Sequence, residues 1–296
     1  MSKAPSVLPC TVLDEQRRMR TSIADITRPD YSDLVDIIDH KHTALQCIGD
    51  VVIKSCPDQR QAENARIHRS LWPDTGRNVP GLAKNVFFWD LPNNAESRPI
   101  AGLSACNQAE AEAVASLTKW LLVCGCAPAS ISIITPYKGQ KTAITNALRK
   151  QECLAPFRRD KAPERGTTLT VSTVDRYQGD ENDIVILSLV RCSPGNRFVG
   201  LHNRFVVAVS RARLGFYVVG AKKAVVSARN GSDGPAHWRR FVSSLDEEES
   251  CGDALRICCP RHQDLTLMSA EQKGDEKSIQ SDIGKNPVFL NKEPFF

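Results

Sequence analysis

Polar side chains stand at the ends of apolar runs in the stretch 167–220. An amide, a glycine and two carboxylates at 178–181 separate the first apolar run from the second, and Arg211 and Arg213 come shortly before the third. Open α/β sheets place their ligand sites at strand ends, so this pattern predicts a binding site for a polar ligand at one edge of a sheet. The two arginines could instead be a helix C-terminal pair favoured by the helix dipole.

A second charged stretch, 14–20, follows a short apolar run at 11–13 that reads as a strand. It contains Gln16, Arg17 and Arg18. Such a stretch is either the start of a solvated helix or a phosphate-facing loop, and its charges alone do not decide between them. The sequence contains no G-x-x-x-x-G-K-[ST], the loop that cradles phosphates in P-loop enzymes. A P-loop is therefore excluded from this sequence.

Hydrophobic periodicity predicts alternating strands and helices from residue 86 onward. The predicted strands cover 86–89, 131–134, 169–173, 184–190 and 216–219, and the predicted helices cover 107–123, 138–150 and 203–212. Asn107 and Glu110 resemble a capping box at the start of the first helix. Two further short helices are expected after Gly220. This alternation predicts an α/β fold, with a mostly parallel, doubly wound sheet and helices on both faces.

Composition narrows the class of protein. The chain has 296 residues, a net charge of +5 and 41% hydrophobic residues, which is enough to fill a core. It shows neither a secretory signal peptide nor an apolar run long enough to span a bilayer, so we expect an intracellular protein, nuclear or cytoplasmic, without membrane contact. Its eleven cysteines form no CxxC pair. The cluster of Cys251, Cys258, Cys259 and His262 lacks a second half, so free thiols are expected and a zinc site is not.

Four blocks, in order, resemble the second, C-terminal RecA-like lobe of superfamily 1 helicases of the Upf type. They are Gln16-x-Arg18-Met19, Thr135-Pro136-Tyr137-x-x-Gln140, Val174-Asp175-x-Tyr177-Gln178-Gly179-x-Glu181-x-Asp183 and Ala208-Val209-Ser210-Arg211-Ala212-Arg213. Weaker similarities point to the subgroup with X-box-factor-type zinc fingers. These are Asp39-His40, Arg191 and Cys259-Pro260-Arg261-His262. The resemblance implies a P-loop-NTPase-type lobe that lacks the P-loop itself.

The resemblance also implies roles for individual residues. Arg18 and Arg211 would reach the γ-phosphate of ATP, where their forked donors stabilise developing charge. The other ATP-binding candidates are Gln16 and Arg17 on the adenine side, Glu181 at the ribose hydroxyls, Gln178 and Gly179 in the turn between nucleotide and nucleic acid, and Arg213. Thr135, Tyr137, Thr173 and Asp175 would contact the sugar-phosphate of a single strand without reading its bases. From residue type alone, Tyr137 could equally be a core-edge tyrosine and Thr173 an ordinary strand residue.

Five segments are expected along the chain. These are 1–30 with the first block, an irregular insertion at 31–84, the RecA-like lobe at 85–245, the start of a Cys/His region at 246–268, and a disordered tail at 269–296. ATP would be the cofactor, with Mg²⁺ held by a first lobe that this sequence does not encode. We therefore expect an inactive, truncated form of an ATP-dependent RNA helicase. Its expected partners are single-stranded RNA and complexes of RNA surveillance or silencing. A non-catalytic RNA-binding scaffold and a DNA helicase lobe are the alternatives.

Overall fold

The computed structural model describes residues 15–30, 35–36, 51–52, 66–67, 79–91, 104–124, 126–150, 168–194, 200–228, 233–258 and 265–269. Several sequence predictions fall outside these ranges. They concern the strand at 11–13, most of the insertion at 31–84, the motif Asp39-His40, the residues Cys259–His262 and nearly all of the tail after 269.

The described strands and helices follow the predicted alternation. The strands are β1 (Glu15–Gln16), β2 (Val35–Asp36), β3 (Val51–Val52), β4 (Arg66–Ile67), β5 (Val86–Asp90), β6 (Ile131–Thr135), β7 (Thr170–Thr173), β8 (Asn182–Ser188), β9 (Ala212–Gly220), β10 (Cys251–Gly252), β11 (Ala254–Cys258) and β12 (Leu265–Ser269). The helices are α1 (Thr21–Thr27), α2 (Gln108–Val123), α3 (Lys138–Lys150), α4 (His202–Val209), α5 (Lys222–Val226) and α6 (Ala236–Glu247). Short 3-10 turns cover Arg28–Asp30, Pro128–Ser130 and Val174–Tyr177.

A six-stranded sheet forms the centre of the fold, in the order β10-β5-β9-β8-β6-β7. Every neighbouring pair in it is parallel. The residues of β8 are buried along its whole length, as a central parallel strand covered on both sides requires. The prediction of a mostly parallel α/β sheet is confirmed.

Each face of the sheet is covered by its own set of helices. Phe87 and Trp89 point into a core shared with α2 and α3, whereas Phe88, between them, joins a core with α1, α4 and α6. This division follows from the two-residue repeat of a strand, which sends successive side chains to opposite faces. The predicted helices on both faces are therefore confirmed.

The predicted helix 203–212 is too long at its C-terminal end. Helix α4 ends at Val209, the cap residue Ser210 donates its backbone N–H to Val206, and β9 already begins at Ala212. Asn182 then donates its backbone N–H to the carbonyl of Arg211 at 3.0 Å, which ties this segment to β8. Sheet pairing outcompetes helix extension here, so Arg213 belongs to a strand. A helix C-terminal pair of Arg211 and Arg213 is excluded.

The start of α2 differs from a complete capping box. Asn107 caps the helix, since its side-chain oxygen accepts from the Glu110 backbone N–H at 3.2 Å. Glu110 does not reach back to the Asn107 N–H, because that group donates to Gln140 Oε1 at 2.7 Å. The Glu110 carboxylate instead accepts from the Ser188 hydroxyl at 2.7 Å and the Val190 N–H at 2.8 Å. The Val190 N–H is therefore not available for strand pairing, and β8 ends at Ser188, two residues before the predicted end at 190.

Candidate functional site

The charged candidates gather at the amino ends of β8 and β9. Glu181 comes directly before β8, and Arg211 comes directly before β9. The rule for open α/β sheets locates ligands at the carboxyl ends of strands, whereas these side chains lie at the amino ends. The 3-10 turn Val174–Tyr177 and helix α4 each return the chain to the amino end before the next strand starts. The polar residues lie at the ends of these two return segments, the connection from β7 to β8 and the connection from β8 to β9.

The turn between β1 and α1 is closed by Gln16. Its side-chain oxygen accepts from the Met19 N–H at 2.8 Å, and its amide donates to the Met19 carbonyl at 2.7 Å. The Arg20 N–H then donates to the Arg213 carbonyl at 2.9 Å, which docks the turn against β9. Gln16 is buried, and both ends of its amide are engaged within the turn. In this structure its role is to position the residues around it.

Arg18 projects from this turn toward the C-terminal end of α4. Its Nε donates to a carboxylate oxygen of Glu181, and its Nη1 donates to the Ser210 carbonyl at 3.0 Å. The last carbonyls of a helix have no partner within the helix and carry the negative end of its dipole. A guanidinium group is therefore stabilised at this position.

Arg211 binds the same helix end. Its Nε donates to the Val207 carbonyl at 2.9 Å, and its Nη2 donates to the Ser210 hydroxyl at 3.1 Å. Its pKa is lowered, first by burial and then by the positive charge of Arg18. The structure thus brings the two predicted phosphate-binding arginines to one place, at the cost of mutual repulsion.

Glu181 lies between two arginines. One carboxylate oxygen accepts from Arg18, and the other is 3.7 Å from Nη1 of Arg213. Arg213 is itself held by Asp183, which lies at 2.8 Å from Nε and 2.7 Å from Nη2. Burial raises the pKa of Asp183, and the Arg213 charge opposes that rise. Asp183 stood in the third sequence block but was not predicted as a site residue.

The remaining ATP candidates lie beside this cluster. Arg17 forms an ion pair with Glu15 at 2.7 Å, and 68% of its side chain is exposed. Among the described residues it forms no ion pair with Glu181. Gln178 is exposed in the turn before β8. Gly179 has a φ of +95°, and no atom of the described residues lies within 4 Å of the position that a Cβ would take. A glycine is favoured here by backbone conformation and not by crowding.

The nucleic-acid candidates lie at the opposite end of the sheet, at the carboxyl ends of its strands. Thr135 ends β6 and Thr173 ends β7, and the two are register partners across the parallel pair. Both are buried, and within the described part of the chain the Thr135 hydroxyl has no hydrogen-bond partner. Tyr137 follows β6 and is half-buried. The structure therefore brings these three residues to the carboxyl ends of neighbouring strands.

Asp175 is exposed near this end of the sheet and has a partner that the sequence interpretation missed. Arg204, near the start of α4, lies 3.3 Å from its carboxylate. Tyr177, in the same 3-10 turn, is buried and donates its hydroxyl to Ser132 at 2.8 Å. Burial raises the pKa of Tyr177. No local pattern marks Arg204, because its partner lies 29 residues earlier in the chain.

Neither a metal site nor a membrane-spanning helix occurs in the described ranges. No group of histidine, cysteine, aspartate or glutamate side chains there could hold a metal ion. None of the helices described is long and apolar enough to cross a membrane.

Comparison with known proteins gives a consistent set of relatives. A protein family described as AAA domain matches residues 3–223. Mouse NFX1-type zinc finger-containing protein 1 is 34% identical over 194 residues, covering 64% of this chain and 9% of the relative. The regulator of nonsense transcripts 1 of Caenorhabditis elegans is 33% identical over 172 residues, covering 57% of this chain and 15% of the relative. Mouse RNA helicase aquarius is 39% identical over 112 residues, covering 38% of this chain and 7% of the relative. The chain thus spans a small part of each of these proteins.

Proposed function

The chain belongs to the AAA-domain family and is a lobe of the Upf-type superfamily 1 helicases, and from this premise we propose that it binds ATP and single-stranded RNA as the C-terminal half of an ATP-dependent RNA helicase. ATP would bind at the amino ends of β8 and β9. The RNA strand would pass the carboxyl ends of β6 and β7. The two ligands would then bind at opposite ends of the strands of one sheet.

The convergence of Arg18 and Arg211 on Ser210 is the observation that carries the ATP proposal. Arg18 binds the Ser210 carbonyl at 3.0 Å, and Arg211 binds its hydroxyl at 3.1 Å. The two guanidinium groups repel one another, and the pKa of Arg211 is lowered first by burial and then by the positive charge of Arg18. A phosphate group relieves such repulsion because each fork can bind its oxygens. Glu181, beside them, can accept from ribose hydroxyls.

The residues of this cluster fit the nucleotide, and no group of described side chains forms a site for its metal. Asp183 and Glu181 are both bound to arginines, which agrees with Mg²⁺ being held elsewhere. Bound ATP with Mg²⁺ supplies the phosphoryl transfer that drives a helicase. On this lobe, Arg18 and Arg211 would stabilise charge on the phosphates, with Gln16 and Arg213 holding the turn and Glu181 in place. Arg17, Gln178 and Gly179 would lie at the rim of the nucleotide site.

The RNA proposal rests on Thr135, Tyr137 and Thr173, which lie at the carboxyl ends of β6 and β7. Hydroxyl groups of these residues suit phosphate and sugar oxygens, which gives no base specificity. The buried Thr135 hydroxyl has no hydrogen-bond partner among the described residues, so it could bind a backbone oxygen of the RNA. Asp175 would act through Arg204, since a carboxylate alone repels phosphate. RNA in preference to DNA is supported by the similarity to one relative, the mouse RNA helicase aquarius.

Binding and turnover by the purified chain test this function. We expect weak ATP binding that Arg211→Ala removes, salt-dependent binding of single-stranded RNA, and no ATP hydrolysis, because the sequence lacks a P-loop. RNA binding with no ATP binding would favour the non-catalytic scaffold. Equal binding of DNA and RNA of one sequence would favour a DNA helicase lobe. ATP hydrolysis lost in Arg211→Ala would contradict the proposed inactivity.

The wider assignments rest on the same relatives. We propose that 1–30 and 85–245 form one lobe, which the bond between the Arg20 N–H and the Arg213 carbonyl supports. An RNA-surveillance role is suggested by the name of the regulator of nonsense transcripts 1. Participation in RNA-silencing complexes is a proposal that co-purification from cells would test.

A further inference from the structure

Two of the proposed ligand-binding groups are bound to each other. The Arg18 Nε donates to Glu181, although the two residues are 163 positions apart in the chain. The side chains are 35% and 36% exposed, so the pair lies at the surface of the site and is open to exchange. In the proposed function, Arg18 binds the phosphates of ATP and Glu181 accepts hydrogen bonds from the ribose hydroxyls.

Because of this contact, inorganic polyphosphates and nucleoside triphosphates should bind with different affinities. An inorganic polyphosphate that takes Arg18 must draw it from Glu181, which leaves the carboxylate with one fewer donor next to a new negative charge. A nucleoside triphosphate brings its own replacement, because the vicinal ribose hydroxyls donate to Glu181 as the phosphates accept from Arg18. Only the second ligand satisfies both partners of the broken pair.

Neighbouring contacts make this exchange feasible. Glu181 keeps Arg213 at 3.7 Å from its other oxygen when Arg18 leaves, and Arg213 is anchored by Asp183 at 2.7 Å. Arg18 keeps its bond of 3.0 Å to the Ser210 carbonyl. Both groups are thus held near their positions while they change partners.

We propose that Glu181 is a specificity-determining residue, which competes for Arg18 and so selects nucleoside triphosphates over inorganic polyphosphates. This inference rests on the proposed ATP site. It differs from a ribose contact alone in one respect: removing the carboxylate should improve the binding of a ligand that has no ribose.

Tripolyphosphate and ATP, titrated by ³¹P NMR into the full chain, test the inference. Glu181→Gln should bind tripolyphosphate about two- to fivefold more tightly than wild type, which corresponds to the usual strength of an exposed ion pair. Loss of any negative charge near the site also favours an anion. Asp180→Asn is the matched control, because Asp180 lies close enough to Arg211 to affect its pKa but forms no ion pair with Arg18 in the described part of the chain. Its gain should be smaller than that of Glu181→Gln.

A double-mutant cycle separates competition from general charge. With Arg18→Ala in the background, Glu181→Gln should improve tripolyphosphate binding no more than Asp180→Asn does. The ratio of ATP affinity to tripolyphosphate affinity should fall in Glu181→Gln. Equal gains for Glu181→Gln and Asp180→Asn in the wild-type background would overturn the inference while leaving the phosphate site intact. If neither ligand binds any variant, the proposed ATP site itself fails.

Discussion

Asp183 holds Arg213 through one carboxylate oxygen, Oδ1, which accepts a hydrogen bond from Nε at 2.8 Å and forms an ion pair with Nη2 at 2.7 Å. The Asp183 side chain is 8% exposed, and that of Arg213 is 34% exposed. We expect Asp183→Ala to lower the free energy of unfolding by about 1–2 kcal/mol, because it leaves a partly buried cation without its main partner. Urea unfolding measures this change. Asp233→Ala, which removes an exposed partner of Arg239, should cost less than about 1 kcal/mol. Equal costs would show that the inner pair contributes no more than a surface pair.

Tyr217 should make the fold sensitive to alkaline pH. Burial raises its pKa well above the ordinary value of 10.0, and its hydroxyl donates to the Lys84 carbonyl at 2.9 Å. The folded state therefore keeps a proton that the unfolded state loses above about pH 10, so this residue's contribution to stability is present below that pH and declines above it. Tyr217→Phe should cost about 1 kcal/mol near neutral pH and reduce the alkaline decline.

Urea midpoints at about pH 8 and about pH 10.5 measure that decline. In Tyr217→Phe the alkaline loss of stability should be smaller than in wild type but still present. Burial also raises the pKa values of Tyr177 and Cys251, that of Cys251 to about 12. Parallel pH profiles for wild type and Tyr217→Phe would contradict the assignment to Tyr217.

Gly179→Ala tests the turn before β8. At a φ of +95° a Cβ is disfavoured, so we expect a loss of about 1–2 kcal/mol in unfolding free energy even though the space around Gly179 is open. Gly200→Ala is the control, since Gly200 has equally open space and no positive φ. Thermal unfolding of the two variants measures the difference. Similar stability for both would mean that the turn readily adopts another conformation.

Asp175→Asn tests whether this residue contacts RNA or acts through Arg204. Its carboxylate lies 3.3 Å from the Arg204 guanidinium, which it partly neutralises. Removing the charge should raise affinity for single-stranded RNA about two- to fivefold and steepen the salt dependence, because Arg204 becomes available to a phosphate. Fluorescence anisotropy over a salt series measures both effects. Glu249→Gln, which removes an exposed partner of Arg256, is the control for net charge. Weaker binding by Asp175→Asn would indicate a direct contact instead.

Much of the fold could be predicted because its signals are local. The apolar runs that became β5, β6, β8 and β9 are continuous, which is typical of strands covered on both faces. The errors occurred where a distant group ended an element. Strand β8 does not continue to Val190, because the Val190 backbone N–H donates to Glu110, 80 residues earlier, and not to a neighbouring strand. Helix α4 stops at Val209 because the next residues pair with β8.

The sequence by itself determined which residue types are available and in which order the elements follow. It indicated arginines beside a Gln-Gly turn, and it marked Arg18, Glu181 and Arg211 as a set through their resemblance to one family. Those are properties of neighbouring residues, and short-range periodicity and motif spacing are enough to reveal them.

Only the tertiary structure decided which end of the sheet these residues share and which partner each one takes. Arg18 is 163 residues from Glu181 and 192 from Ser210, so no local pattern could predict those bonds. They exist because two return segments and the turn after β1 finish at the amino ends of β8 and β9. Packing of distant segments thereby pairs Arg18 with Glu181, a contact that motif spacing alone could not reveal.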